Sequence, residues 1–299
     1  MNTGGASRRS NGVCAIFTAF HPGPDLIHNI AAVIGQVEHM VVVDNGSGAE
    51  VVAQLRLASN NLHFHLIANE RNLGIATALN IGCRWAISQH SKFLLLFDQD
   101  SEATENFVGS LLRAYQGADF REKVGLVGAN VIERRSGASP PLLLDGEGRP
   151  MLTLTSGSLI RTEVFEECGR FEDDLFIDYV DHEYCLRIRS RGYRIMIADD
   201  AILRHDVGFP RIHKVLGIWS CCCVHHAPGR RYYYARNLVA LLRRYWETEP
   251  VWCRTEIAVL IKSTVKALLF EGCRIRKLWL AFRGILDGAS GRMGQRVKL

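Results

Sequence analysis

Nowhere does this 299-residue chain carry an uncharged apolar run approaching 18 residues, so no segment reads as a membrane-crossing helix. The opening MNTGGASRRSNG has no apolar stretch behind it that ends at a cleavage site, and residues 1–12 are expected to be a disordered terminus, not an export signal. No C-x2-C pair occurs among the nine cysteines, which are odd in number and mostly embedded in apolar runs such as Val13–Phe20. That argues against a disulfide framework and for reduced, buried thiols in the cytoplasm. Cys221, Cys222 and Cys223, with His225 and His226 close behind, invite a zinc reading. Adjacent side chains point in different directions, however, and packing or a loop fits better. Neither G-x-G-x-x-G nor G-x4-G-K-[ST] follows the early strands, which disfavours a dinucleotide fold and a P-loop nucleotidase.

What is present suits a globular protein. With 47% hydrophobic residues the chain can bury one large core, or a core plus a smaller lobe. Strand and helix patterns alternate: strand Val13–Phe20, helix 25–36, strand His39–Val43, helix 49–58, strand Leu62–Ala68, helix Ile75–Ser88, then KFLLLFDQDS at Lys92–Ser101. A helix over 103–117 and a strand over Val124–Ile132 come next. This order predicts a doubly wound, mostly parallel α/β sheet, with Phe20, Asp44, Asn69 and Asp98 along one rim.

Ligands of open α/β sheets collect beyond the carboxyl ends of the strands, where Asp98 and Asp100 would sit. Two carboxylates there suit a hard cation, Mg²⁺ or Mn²⁺, holding a diphosphate, although solvated turn carboxylates would look the same. Thr18, Asp44, Asn72 and Asp98 share the rim and offer hydrogen bonds for a base and ribose. Helix capping is the alternative for Asp44 and Asn72. Gly157, in TSGS, permits close approach of a sugar or simply makes a bulge. Segment 135–150, rich in Gly and Pro, is expected to be a mobile loop over the site. In LFIDYVDHEYCLRIRSRGY, 175–193, Glu183 and Arg187 stand at i, i+4, and Asp178 and Asp181 fall at a helix start. Capping accounts for Asp178. Asp181 would face the cleft, where an acceptor hydroxyl must lose a proton. Strands Arg194–Ile197 and Ala201–His205 follow, and His205 either completes a metal shell, bonds a phosphate or is structural. Arg230, Arg231 and Arg236, among Tyr232, Tyr233 and Tyr234, match phosphate geometry, or mark an exposed basic helix start.

In order, VDNGS (43–47), NLGIATALN (72–80), FDQDS (97–101), TSGSLI (155–160), FIDYVDHEYC (176–185) and RYYYARN (231–237) resemble the family 2 glycosyltransferases, most of all bacterial dTDP-rhamnosyltransferases of O-antigen and capsule assembly. The resemblance spans about Val13 to Asn237. It implies a GT-A fold over 13–227 with a helical extension over 228–299, and inverting, metal-dependent transfer from a nucleotide-diphosphate sugar, with dTDP-L-rhamnose the leading donor and UDP-sugars the alternative. By motif position Asp44 would meet the base, Asp98 the ribose and Asp100 the metal, Gly74 lies in the donor-side motif, and Asp181 would be the general base. The family commonly writes Glu-Asp at that place. Here Val180 precedes Asp181, and Asp178 can stand in for the missing acid. A sugar-1-phosphate nucleotidyltransferase would need a Gly-rich loop with a basic residue, which Thr18–Asp25 lacks. A silent nucleotide-sugar-binding scaffold would not need three intact acids.

Charge is uneven. From Val251 to Leu299 ten Lys/Arg face three Asp/Glu, a local +7 within a net +5, leaving −2 for the first 250 residues. Helices over 230–246 and 255–270 are predicted, the second with Ile257, Leu260, Ile261, Thr264, Val265 and Leu268 on one face and Lys262 and Lys266 opposite. With Trp279, Phe282 and Arg274–Lys277, this tail either packs on the catalytic domain, rests on the inner face of the cytoplasmic membrane near a polyprenyl-diphosphate-linked glycan acceptor, or pairs with a second copy. No nucleic-acid partner is expected.

Overall fold

The computed structural model describes residues 11–119, 123–134, 136–205, 210–215, 219–224 and 227–298, the backbone alone over 210–224. Of the terminus expected to be disordered, 1–12, residues 1–10 lie outside the described residues, as do His225 and His226, whereas Asn11 and Gly12 are held, Asn11 Nδ2 donating to Gln36 O at 2.9 Å and Gly12 N–H to Glu38 Oε2 at 2.8 Å.

The chain begins β1 (Val13–Ala19), α1 (Leu26–Ile34), β2 (His39–Asp44), α2 (Ala49–Leu62), β3 (His65–Ala68), α3 (Ile75–Ser88) and β4 (Phe93–Asp98). Next come β5 (Ser101–Ala103), α4 (Phe107–Gly117), β6 (Val124–Glu133), β7 (Ser158–Arg161), α5 (Thr162–Cys168), α6 (Val180–Ser190) and β8 (Arg194–His205). It closes with the hairpin β9 (Pro210–Val215) and β10 (Trp219–Val224), then α7 (Pro228–Tyr245), α8 (Pro250–Phe270) and α9 (Arg274–Ala289). Cys221–Cys223 thus lie in a strand paired antiparallel with β9, not in a loop.

The main sheet runs β3-β2-β1-β4-β7-β6-β8-β5. The first four strands are mutually parallel, as are β6 and β8, while β7 and β5 enter antiparallel. Alternation of side chains splits the core into two layers. Val13, Ala15 and Phe17 pack with α1 and α4, where Phe17 stacks on Phe97 at 4.7 Å between centroids. Cys14 and Ile16 pack with α3, α5 and α6 on the other face. Strands with apolar residues on both faces need helices on both, which is why the runs read as unbroken. Ala19 lies opposite Asp44, Thr18 opposite Asp98 and Asp44 opposite Ala68, so the strand ends form the expected rim.

Several boundaries differ from expectation. Helix α2 runs on to Leu62 and stops at left-handed His63, so the next strand starts at His65, not Leu62. The helix expected from Ala103 begins at Phe107, because Ser101–Ala103 is drawn into a strand by β8. The two expected strands 194–197 and 201–205 are one, with a register shift opposite Ala129/Asn130. Segment 136–150 is not a loose lid throughout: Leu144 bridges Pro150, and Asp145 is held by Arg149 and by Arg189 of α6 at 3.3 Å.

In the tail, α7 is largely buried, but the apolar face expected on α8 is only partly covered. Ile261, Val265 and Leu268 are exposed, while Ile257, Leu260 and Thr264 are half-buried. Among the described residues no helix is long and apolar enough to cross a membrane. Five described cysteines are buried and free, whereas Cys273 is exposed.

Candidate active site

Strand β4 carries Asp98 to the rim, with Asp100 two residues on. The chain then turns into β5, whose Ser101 pairs with His205 at the end of β8. This one pairing returns the imidazole to the carboxylates. His205 Nδ1 lies 3.4 Å from Asp100 Oδ1 and 2.8 Å from Ser101 Oγ. Ligand-capable atoms of Asp98, Asp100 and His205 all fall within 4.8 Å of one another. Two carboxylates and an imidazole on so small a footprint fit a divalent cation such as Mn²⁺ or Mg²⁺. Asp98, which shares the strand end with Asp100 and which the family resemblance would place at the ribose, belongs to the same cluster.

Behind the cluster two hydroxyls run in series. The Asp98 N–H donates to Ser156 Oγ at 3.0 Å, and Ser156 Oγ lies 2.7 Å from Ser101 Oγ, which meets the imidazole. A ring held at one nitrogen has a fixed plane, the usual way a ligating histidine is oriented. The signal was present in FDQDS and TSGS, but nothing in their spacing shows that the serines touch. Burial pushes the Asp98 carboxyl up to about 6; Asp100 and Asp181 add to the rise, while His205 and Arg230 oppose it.

The second half of the site is the turn before α6. Phe176, Asp178 and Tyr179 all have φ near +64°, a left-handed conformation costly for side-chain-bearing residues. Three neighbours hold it. Asn237 Nδ2 donates to the carbonyls of Leu175 (3.0 Å), Ile177 (2.8 Å) and Asp178 (2.9 Å). Arg236 donates to Asp174 O (3.0 Å), Leu175 O (2.9 Å) and Gly294 O, with its guanidinium over the Tyr232 and Tyr233 rings. Ile75 N–H donates to Phe176 O at 2.7 Å.

On the far side of this turn Asp178 pairs with Arg230, Oδ1 lying 2.9 Å from Nε and 2.8 Å from Nη2. Burial raises the Asp178 carboxyl pKa, against the pull of Arg230. Asp181 sits half-buried in the first turn of α6, its Oδ1 accepting the His182 N–H at 2.9 Å. Its charge is felt at both Asp98 and Asp178. The site therefore gathers a cation-ready cluster, with Arg230 and Asp181 near enough for their charges to act on Asp98.

At the β1–β2 end of the rim, Thr18 Oγ1 and Asp44 Oδ1 are buried without a hydrogen-bond partner. Asp44 Oδ2 accepts from the Gly46 and Ser47 N–H groups at 3.2 and 3.1 Å, which aims the other oxygen outward from the turn. Buried orphan atoms of this kind point to a missing partner. Asn72 spends its carbonyl on Gly74 N–H (2.9 Å) and Asn45 Nδ2 (3.1 Å), leaving only its amide nitrogen for a ligand. Asn45, absent from the sequence reading, also accepts from Asn69 and Leu73 and holds the loop together.

Four expected donor contacts do not fit their places. Arg236 is 0% exposed and its donors are spent on the turn, so it is a clamp behind the site. Arg231 pairs with buried Glu271 at 2.8 Å, towards α8 and α9. Gly74, at φ +87°, has no room for a Cβ because the Phe176 backbone lies against it; it admits protein, not sugar. Gly157, at φ +80°, is likewise filled by Ala129 and Leu203. A surface hollow of about 450 Å³ lined by His39, His63, His65 and Trp85 opens at the other end of β2 and β3, away from these groups.

Residues 14–127 match glycosyl transferase family 2. Over 304 residues the chain is 30% identical to the dTDP-rhamnosyl transferase RfbF of Shigella flexneri, covering 95% of this chain and 98% of that protein. Among solved structures it resembles the mannosyltransferase PcManGT from Pyrobaculum calidifontis, in complex with GDP-Man and Mn²⁺, at TM-score 0.54 and 17% identity over 94% of this chain and 86% of that one. It also resembles residues 1–349 of S. aureus TarS with UDP, at TM-score 0.56 and 13% identity over 94% and 81%, and spans 44% of the longer TarS chain. The strand order, the acidic rim and a full-length relative at this identity agree: the chain is a glycosyltransferase and belongs to glycosyl transferase family 2.

Proposed function

We propose that the enzyme transfers L-rhamnose from dTDP-L-rhamnose to a hydroxyl of a lipid-linked glycan, with inversion at the anomeric carbon. The observation that carries the reaction type is the meeting of Asp98, Asp100 and His205, with the charge of Asp181 acting on Asp98. A single base facing a cation site suits one displacement on a donor that already has a good leaving group, in contrast to the paired carboxylates of hydrolysis. The donor reading is supported by the similarity to RfbF along the whole chain.

Asp98, Asp100 and His205 would hold Mg²⁺ or Mn²⁺. The ion would neutralise the diphosphate that departs. Arg230 adds positive charge on the same side and pairs with Asp178 at 2.8 Å. Asp181 accepts the proton of the incoming hydroxyl, a role worth about 10²–10⁴ in rate. Asp44 Oδ1 and Thr18 Oγ1 supply acceptor atoms for the base, which the ring N–H of thymine or uracil would meet. Arg236 and Asn237 keep the base-bearing turn in its left-handed shape.

Thermal shift with dTDP-, UDP- and GDP-sugars, each with and without Mn²⁺, tests the donor. Metal-dependent stabilisation by dTDP-rhamnose is expected. Stabilisation by UDP-sugars alone would instead identify a hexosyl- or galactofuranosyltransferase.

A further inference from the structure

The outermost helix is built inside out. On α9, Ile275, Leu278, Trp279, Phe282, Ile285 and Leu286 are 38–86% exposed. At 100° per residue they form one stripe. The residues that α9 buries, Lys277, Leu280, Gly284, Asp287 and Gly288, lie on the opposite side. Gly284 and Gly288 explain the choice of face: a Cβ at either would collide with the Tyr232 or Arg236 carbonyl, so α9 lies directly on α7 through its glycines and turns its apolar stripe to solvent. Helix α8 does the same near the connecting turn, where Ile261, Val265, Leu268 and Leu269 are exposed. Contiguous exposed apolar surface of this extent marks an interaction site.

Charge identifies the partner. The three acids beyond residue 250 are all turned inward. Glu256 accepts from Tyr179 OH, Glu271 pairs with Arg231 and Lys277, and Asp287 accepts from Tyr232 OH. Each is buried. Lys262, Arg274 and Arg276 remain exposed around the apolar stripes, so the outer face is apolar and cationic with no acidic relief. A second copy meeting this face across a twofold axis would set like charges against each other. An anionic bilayer complements both properties.

We infer that the outer face of the α8–α9 hairpin docks on an anionic lipid surface. Its first contacts would be Trp279 and Phe282, which enter the headgroup boundary while Lys262 and Arg276 meet lipid phosphates. The hairpin is tied to the active site through α7, whose Arg231 reaches Glu271 at the hairpin turn while adjacent Arg230 holds Asp178. Docking would thus set the cleft at the membrane surface where a lipid-linked acceptor resides, a consequence that rests on the proposed function; the docking itself does not.

Flotation of the full chain with phosphatidylcholine vesicles, with and without phosphatidylglycerol, tests this. The protein should float with the anionic vesicles at low salt and be released by high salt. Lys262→Gln/Arg276→Gln should bind about 30-fold more weakly, at about fivefold per basic residue. Trp279→Glu/Phe282→Glu should stay at the bottom while its melting temperature and its stabilisation by nucleotide-sugar match the parent, which separates docking from donor binding. Parent protein that stays at the bottom, or floats equally with neutral vesicles, overturns the inference. So does a dimer by light scattering that the double glutamate variant dissociates.

Discussion

Removing the charge of Asp98 should make the metal-free enzyme more stable, and only above a particular pH. Burial lifts this carboxyl from an ordinary 3.8 to about 6 in the fold. The folded state therefore prefers the protonated acid. Its stabilising contribution is complete below pH 3.8 and is lost as pH rises through about 6, above which the charge costs on the order of 3 kcal/mol at 1.36 kcal/mol per pH unit. A bound cation reverses the balance, because it needs the carboxylate. Denaturation in EDTA from pH 4.5 to 8 should show Asp98→Asn gaining on the parent across pH 4–6 and holding a lead of about 3 kcal/mol at pH 7.5. With Mn²⁺ the order should invert at pH 7.5, and parent affinity for Mn²⁺ should weaken about tenfold per unit below pH 6. A parent-minus-variant difference flat in pH would refute the account of Asp98, and parent melting unmoved by Mn²⁺ at pH 7.5 would refute the cation site.

The other predictions concern the wall opposite. Asp181→Asn should retain metal-dependent donor stabilisation and lower kcat by about 10²–10⁴; unchanged turnover removes Asp181 as the base. Asn237→Ala orphans three carbonyls of a strained turn, and at about 1–3 kcal/mol per lost partner, less relaxation, should cost about 3 kcal/mol in urea unfolding. It should also reduce kcat more than donor affinity, and a variant of parental stability would show that the clamp is idle. Gly74→Ala combines a left-handed φ with a collision against the Phe176 backbone, so its melting curve should report a loss of about 2 kcal/mol or more.

Much of this was legible in the residues. Unbroken apolar runs alternating with helical patterns can be satisfied only by a sheet covered on both faces, and carboxylates that end such runs must lie on its rim. That argument places Asp44 and Asp98 on one rim, as the strand pairing has them. Local pattern also yielded the Glu183–Arg187 pair, now bidentate at 2.8 and 2.9 Å.

Elsewhere the outcome depended on partners that the local sequence does not name. His205 joins Asp100 only because a three-residue strand pairs across 104 positions, and the same pairing displaces the start of α4. Arg236 and Arg230 look alike in RRYYYAR, yet about one and two-thirds helical turns separate a clamp buried among carbonyls from a cation beside Asp178. The tail shows the limit most plainly. Periodicity reveals that α8 and α9 each own an apolar stripe, but which stripe faces inward was decided by two glycines small enough to meet the α7 backbone and by three acids drawn to buried tyrosines and cations. Sequence sets which faces exist; tertiary packing, where backbone approach and buried charge must both be satisfied, chooses among them.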